Sequence, residues 1–219
     1  FSFVLGFLPT PILVWFLVLV NLGGKAAFER STEYLLHGAP MLSGQALNLN
    51  WVVTYILHIV NPVQFGSLQQ LDYLNRQIPA DYAPVVFQGY LFILVAFIIF
   101  LRYWLFQKKD IANFLSASVM IFFSHFILNK SAYEKHLFYV VILMLFLYLV
   151  RPTTSNRWLL ILFDVMVVMN LIFFYGFTGM SSLSRLFFDF DITIIFSFYY
   201  LLIYLFVLWK YLRREKGFL

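Results

Sequence analysis

Residues 111–150 read IANFLSASVMIFFSHFIL, NKSAYEKH and LFYVVILMLFLYLV: an apolar run over Ile111–Leu128, a polar turn over Asn129–His136 and a second apolar run over Leu137–Val150. Neither run contains Asp, Glu, Lys or Arg. In a hydrocarbon solvent every backbone N–H and C=O must bond within the protein, and a helix achieves this inside one segment. The stretch therefore predicts two membrane-spanning helices joined by a short polar turn.

The same reading extends both ways along the chain. Spans are expected at Val85–Phe106, Trp158–Phe177 and Ile192–Leu208, and over residues 1–22, where Pro9 and Pro11 either kink the helix or start it. Trp51–Val60 is apolar but closed by Asn61-Pro62. Its length corresponds to about 15 Å of helix, half of a hydrocarbon core of about 30 Å, so a re-entrant or interfacial helix is expected. The expected fold is all-α: a polytopic transmembrane bundle of about six spans plus that short helix. It is read as one transmembrane domain over 1–219, with span 1 at 1–22, an outer loop with interfacial helices at 23–84, and five spans within 85–219.

Composition agrees. Of 219 residues 63% are hydrophobic, 21% aromatic and only 11% charged, with a mean hydropathy of +0.86. Soluble domains carry about 25% charged residues. So few charges cannot cover a water-facing surface, which excludes a cytosolic enzyme, a nucleic-acid module and a disordered tail. The formal charge of +5 sits mostly at the ends of apolar runs, a topology signal rather than a phosphate-tracking stripe. The absence of cysteine removes disulfides and thiolate metal sites.

Positive charges orient the spans. Arg102, Lys108 and Lys109, then Arg151 and Arg157, then Lys210, Arg213, Arg214 and Lys216 are placed on the cytoplasmic side with both termini. The other side receives residues 23–84, 129–136 and 178–191. Lys25, Arg30, Lys130 and Lys135 then defy the rule, and anion binding is one explanation. Short loops without a cysteine-bearing ectodomain point to a prokaryotic cell membrane.

Asn129–His136 is the densest ionisable cluster beside a span. Leu137–Val150 supplies only about 21 Å of helix, so Glu134, Lys135 and His136 are expected to be drawn to headgroup depth or below. A lipid phosphate is a natural partner there, held by Lys135 and Lys130 with His136; Glu134 would hold a cation in place or act on a substrate hydroxyl. Snorkelling anchors with an internal Glu–Lys pair are the competing reading. His125, one turn before Asn129, is expected near the cluster.

Lys130–Phe138 resembles the His-Glu-Arg/Lys-Tyr/His-Leu-Phe-Pro motif of GT-C class integral-membrane glycosyltransferases. Glu134, Lys135, His136, Leu137 and Phe138 match its later positions; Tyr133 stands where the motif begins with His, and the Pro is missing. Pro40–Trp51, PMLSGQALNLNW, is similar to the proline, small-residue, Asn-x-Trp segment of the same class. The resemblance implies a polyprenyl-phosphate or dolichyl-phosphate sugar as donor, as in related mannosyltransferases. It implies Lys135, His136, Lys130 and Arg30 at the lipid phosphate, with Tyr133, His125, Asn48 and Trp51 behind them. The class keeps its catalytic acid in the first outer loop of an amino-terminal half, and nothing here matches that loop. The chain, which begins Phe1-Ser2-Phe3, resembles the carboxy-terminal half, so the catalytic residue is left unassigned.

Other candidates are bland. Glu29, Arg30 and Glu33 share a helical spacing that suits a solvated face, and His37 and His58 read as packed or interfacial. Asp164 is expected inside its span, bonding another helix. Asp189 and Asp191 suit a helix N-terminus, and are the two acids a divalent cation could use; no fuller metal set is seen. The expected function is transfer of a sugar from a polyprenyl-phosphate donor to an acceptor outside the cytoplasm. The alternative is a non-catalytic subunit packed in a larger membrane complex. Expected partners are membrane lipid, the lipid-linked sugar and either another membrane subunit or an amino-terminal half.

Overall fold

A computed structural model describes residues 41–44, 46–66, 78–175, 186–187 and 190–213. The expected first span therefore lies outside the described residues. Within them, seven helices and four two-residue strands follow one another.

The first helix, α1 (Leu49–Val60), starts two residues before the expected run because Asn48 caps it, its side chain accepting the Trp51 N–H at 2.8 Å. It ends where the Asn61 N–H bonds Leu57 O. Asn61 then caps the single turn α2 (Pro62–Phe65), with Pro62 at its start. The amino-terminal half of α1 is buried through Trp51, Val52, Val53 and Thr54, whereas Ile56, Ile59 and Val60 are exposed.

Five longer helices follow: α3 (Tyr90–Phe106), α4 (Ile111–Leu128), α5 (Glu134–Val150), α6 (Thr154–Tyr175) and α7 (Ile192–Arg213). The expected start of α3 at Val85 is corrected. Val85–Gln88 form a separate 3-10 turn, and Gly89, at φ +111°, redirects the chain before α3 begins. The helix expected from Leu137 begins instead at Glu134. Its first turn is held by the Tyr133 N–H donating to His136 Nδ1 at 3.0 Å.

Helix α4 is the hub. It packs on α3, α5, α7 and α1, and α6 packs on α5. Phe123 of α4 meets Phe163 of α6 and Tyr204 of α7, with ring centroids 4.9 and 5.3 Å away. Ser124 Oγ and Tyr204 OH share a hydrogen bond of 2.9 Å. The outward faces of α3, α5, α6 and α7 are rich in exposed Phe, Leu, Ile and Val. Ile111–Leu128, Thr154–Phe174 and Ile192–Arg213 are long and apolar enough to cross a membrane. Helices α3 and α5, at 17 residues each, are shorter than these.

Basic side chains close the adjoining ends of α3 and α7. At one end Arg102 of α3 lies over the Tyr211 ring, 4.2 Å from its centroid, and its Nε reaches Leu212 O of α7 at 3.5 Å. Lys109 donates to Tyr103 O and Trp104 O, both at 2.7 Å, closing the end of α3. The opposite end gathers the strands and the start of α1.

Candidate functional site

At that opposite end the two motif-bearing stretches meet. Strand β1 (Ser43–Gly44) pairs in parallel with β2 (Ala132–Tyr133), Ser43 opposite Ala132 and Gly44 opposite Tyr133. The pairing is fastened by Ser131, whose N–H donates to Met41 O and Leu42 O at 3.1 and 3.2 Å. Its hydroxyl also donates to Met41 O, at 3.0 Å and 90 residues away in sequence. Ser131 holds φ at +57°, an uncommon conformation for a non-glycine residue, and these bonds hold it there. Glycine suits position 44, because a Cβ would lie 2.7 Å from the Tyr133 ring and something would have to shift.

Asn48 joins this junction to the bundle. Its Nδ2 donates to Phe126 O of α4 at 3.1 Å, and its Oδ1 accepts from the Trp51 N–H and from Ser43 Oγ at 3.1 Å. Trp51 sits edge-on to Phe174 of α6, centroids 5.2 Å apart, and its Nε1–H donates to Thr193 Oγ1 of α7 at 2.8 Å. Asp191, itself buried, accepts from Thr193 N–H and Oγ–H at 2.9 and 2.7 Å. The Leu47 N–H donates to Asn170 Oδ1 of α6 at 2.7 Å. Asn48 and Trp51 thus stand as structural anchors beneath the junction.

The ionisable cluster adjoins β2, with His136 and Lys135 beside the Tyr133 ring. His125 and His136 are ring neighbours, centroids 4.8 Å apart, with Phe92 of α3 edge-on to His125 at 5.3 Å. Lys135 is exposed, with Nζ 5.2 Å from the Tyr133 ring centroid. Lys130 is half-buried, its Cγ beside the position that a Cβ on Gly89 would occupy. Glu134 opens α5, where a carboxylate suits the helix N-terminus, and its buried Oε2 has no hydrogen-bond partner among the described residues. Among the described residues Glu134 forms no ion pair with either lysine.

His136 is neutral at Nδ1, since that atom accepts the Tyr133 N–H. Burial, then the charges of His125 and Lys135, pushes its pKa down to about 4. Any contact with an anion is therefore left to Nε2–H, acting as a neutral donor, and full positive charge comes from Lys135 and Lys130.

The other expected residues are dispersed or undescribed. Arg30, Glu29, Glu33, His37 and Asp189 lie outside the described residues. Asp191 is engaged with Thr193, and among the described residues no three His, Asp or Glu side chains assemble as a metal set. His58 is buried, with Nδ1 3.1 Å from Gly66 O. Asp164, expected to bond another helix, instead faces outward and is exposed. Sequence reasoning missed Ser43, Ser131, Asn170 and Thr193 as supports. Only Thr193 carried a local signal, the Asp-x-Thr spacing that opens a helix. Asn50, fully buried in the first turn of α1, also went unremarked, and among the described residues neither end of its amide has a partner.

No family model, curated protein or solved structure matches this chain.

Proposed function

We propose that this chain is a multi-pass membrane glycosyltransferase, or the carboxy-terminal portion of one, and that its Lys130–His136 segment receives the phosphate of a polyprenyl-phosphate sugar. The supporting observation is the register of β1 on β2. It sets Pro40–Trp51 against Lys130–Phe138, the two stretches that carry the family resemblance, at one end of the bundle.

In the proposed reaction an acceptor oxygen attacks the sugar's anomeric carbon. The bond from that carbon to the phosphate oxygen breaks, and its electron pair stays with the phosphate. The Lys135 and Lys130 ammoniums stabilise the charge gained there, and His136 Nε2–H adds a neutral hydrogen bond. The acceptor's proton passes to a base this reading leaves unassigned. Lipid-facing α3, α5, α6 and α7 hold the carrier's chain in the bilayer, with the cluster on the extracytoplasmic side.

The test is binding of a short-chain polyprenyl phosphate to the full chain in detergent micelles, with the unphosphorylated polyprenol as control. Charge-assisted hydrogen bonds contribute about 1.5–3 kcal/mol, so Lys135→Ala should weaken phosphate-lipid binding about tenfold or more without changing polyprenol binding. Equal phosphate-lipid affinity in wild type, Lys135→Ala and Lys130→Ala would sink the assignment.

A further inference from the structure

Asp164 occupies the midpoint of the 22-residue helix α6. It lies on the outward face, in line with exposed Trp158 (60%), Ile161, Val165, Val168 and Leu171. The opposite face of α6, with Phe163, Val167 and Asn170, is the buried one. Polarity is thus inverted on this helix. The amide of Asn170 is inside and bonded to the Leu47 N–H at 2.7 Å, while the carboxyl of Asp164 is outside among apolar side chains.

Water would make this ordinary, but α6 is among the three helices apolar and long enough to cross a membrane. From either end to Asp164 is about 15 Å of helix, which puts the carboxyl near the centre of a hydrocarbon layer of about 30 Å. Carboxyls at that depth are costly, and they face a protein partner or a water-filled cavity. The nearest cation along the same helix face is Arg157, two turns away, and its guanidinium lies 5.8 Å from the Trp158 ring centroid. Asp164 forms no hydrogen bond or ion pair among the described residues. A second copy is a poor complement, since the described residues include no basic side chain at the middle of an outward helix face.

We propose that the Asp164 face of α6 docks a transmembrane helix of a different polypeptide, one that places a basic side chain at mid-depth opposite Asp164. The proposal rests on the reading of α6 as a spanning helix. Trp158, Ile161, Val165 and Val168 supply the apolar packing, and the carboxylate selects the partner by charge.

Because the chain has no cysteine, single introduced cysteines report cleanly. The full chain carrying Arg157→Cys is labelled with a dye and reconstituted in phosphatidylcholine vesicles. Energy transfer is then measured to synthetic Leu/Ala transmembrane peptides bearing a central Lys, Leu or Glu. The Lys peptide should associate about threefold to tenfold more tightly than the Leu peptide. Asp164→Leu should erase that difference and Asp164→Lys should move the preference to the Glu peptide, with circular dichroism confirming that each variant is folded. Equal association of the Lys and Leu peptides, or a Lys preference that survives Asp164→Leu, overturns the proposal. Disulfide capture of two Val168→Cys copies at high dilution also overturns it, by placing a second copy on the face. Labelling of Val168→Cys by a membrane-impermeant maleimide would overturn the spanning reading itself. A protected cysteine without peptide discrimination would overturn only the docking.

Discussion

Two polar regions lie side by side at one end of this bundle, and they are built in opposite ways. Around Asn48 the polar atoms, the Asn50 amide excepted, are matched inside the fold: Asn48 itself serves Phe126 O, the Trp51 N–H and Ser43 Oγ, and Trp51 is answered by Thr193. Around Glu134 they are not. Lys135 is exposed, Glu134 Oε2 is unmatched, and only the Nδ1 side of His136 is committed. A matched buried group is held by what it would cost to leave its partners unsatisfied, and such groups give a fold its single arrangement. An unmatched ionisable group gives the fold little and remains free to meet a ligand. The contrast assigns architecture to the first region and chemistry to the second, and each assignment can be broken separately.

The matched region should give the largest effects on stability. Trp51→Ala removes a buried indole, its edge contact with Phe174 and its bond to Thr193, and should destabilise the protein by about 3–5 kcal/mol. Denaturant titration in mild detergent measures this, and a loss below about 1 kcal/mol would remove Trp51 from the anchor role. Gly44→Ala comes next. Its Cβ would press on the Tyr133 ring at 2.7 Å and force β1 away from β2, a steric cost of about 1–3 kcal/mol. If the register of β1 on β2 is what shapes the cluster, this variant should also weaken polyprenyl-phosphate binding, although residue 44 carries no charge.

The unmatched region should behave in reverse. Lys135→Ala removes an exposed side chain whose only described contact is with the Tyr133 ring, and the melting midpoint should stay within the range of a surface substitution, about 0.5 kcal/mol. Lipid-phosphate affinity should fall nonetheless. A large loss of stability in Lys135→Ala would erase the distinction between the two regions, because the lysine would then be part of the scaffold.

What the sequence made legible follows the same division. Helices α3 to α7 were readable because each is built on a long, predominantly apolar run, and a run of that kind in hydrocarbon satisfies its backbone as a helix. The errors fell at ends, where single residues decide: Gly89 delays α3, and the His136 bond to Tyr133 draws Glu134 into α5. The identity of the ionisable cluster was legible, since charges beside a short apolar run are conspicuous. Its setting was not. A parallel pairing of two residues with two, fastened by a Ser131–Met41 bond 90 residues apart in sequence, leaves no periodicity to detect. The outward turn of Asp164 was invisible too, because α6 carries apolar side chains all the way round and the sequence does not say which side is buried.

The smallest effect lies on the boundary between the regions, at His136. Its Nδ1 is matched like the scaffold, while its other nitrogen has no hydrogen bond among the described residues. Its pKa in the folded protein is lowered to about 4 by burial and by the charges of His125 and Lys135, against about 6.5 in an unfolded chain. The native state therefore favours neutral His136. The resulting stabilisation is complete above pH of about 6.5 and is lost as pH falls through about 4, since over that window the unfolded chain takes up a proton that the native protein refuses. His136→Gln keeps an acceptor for the Tyr133 N–H but cannot titrate. Melting curves from pH 8 to pH 4 should therefore fall less steeply for His136→Gln than for the wild type, with His125, Glu134, Lys135 and Lys130 common to both. Parallel curves would mean that burial and the neighbouring charges do not hold His136 neutral in the fold.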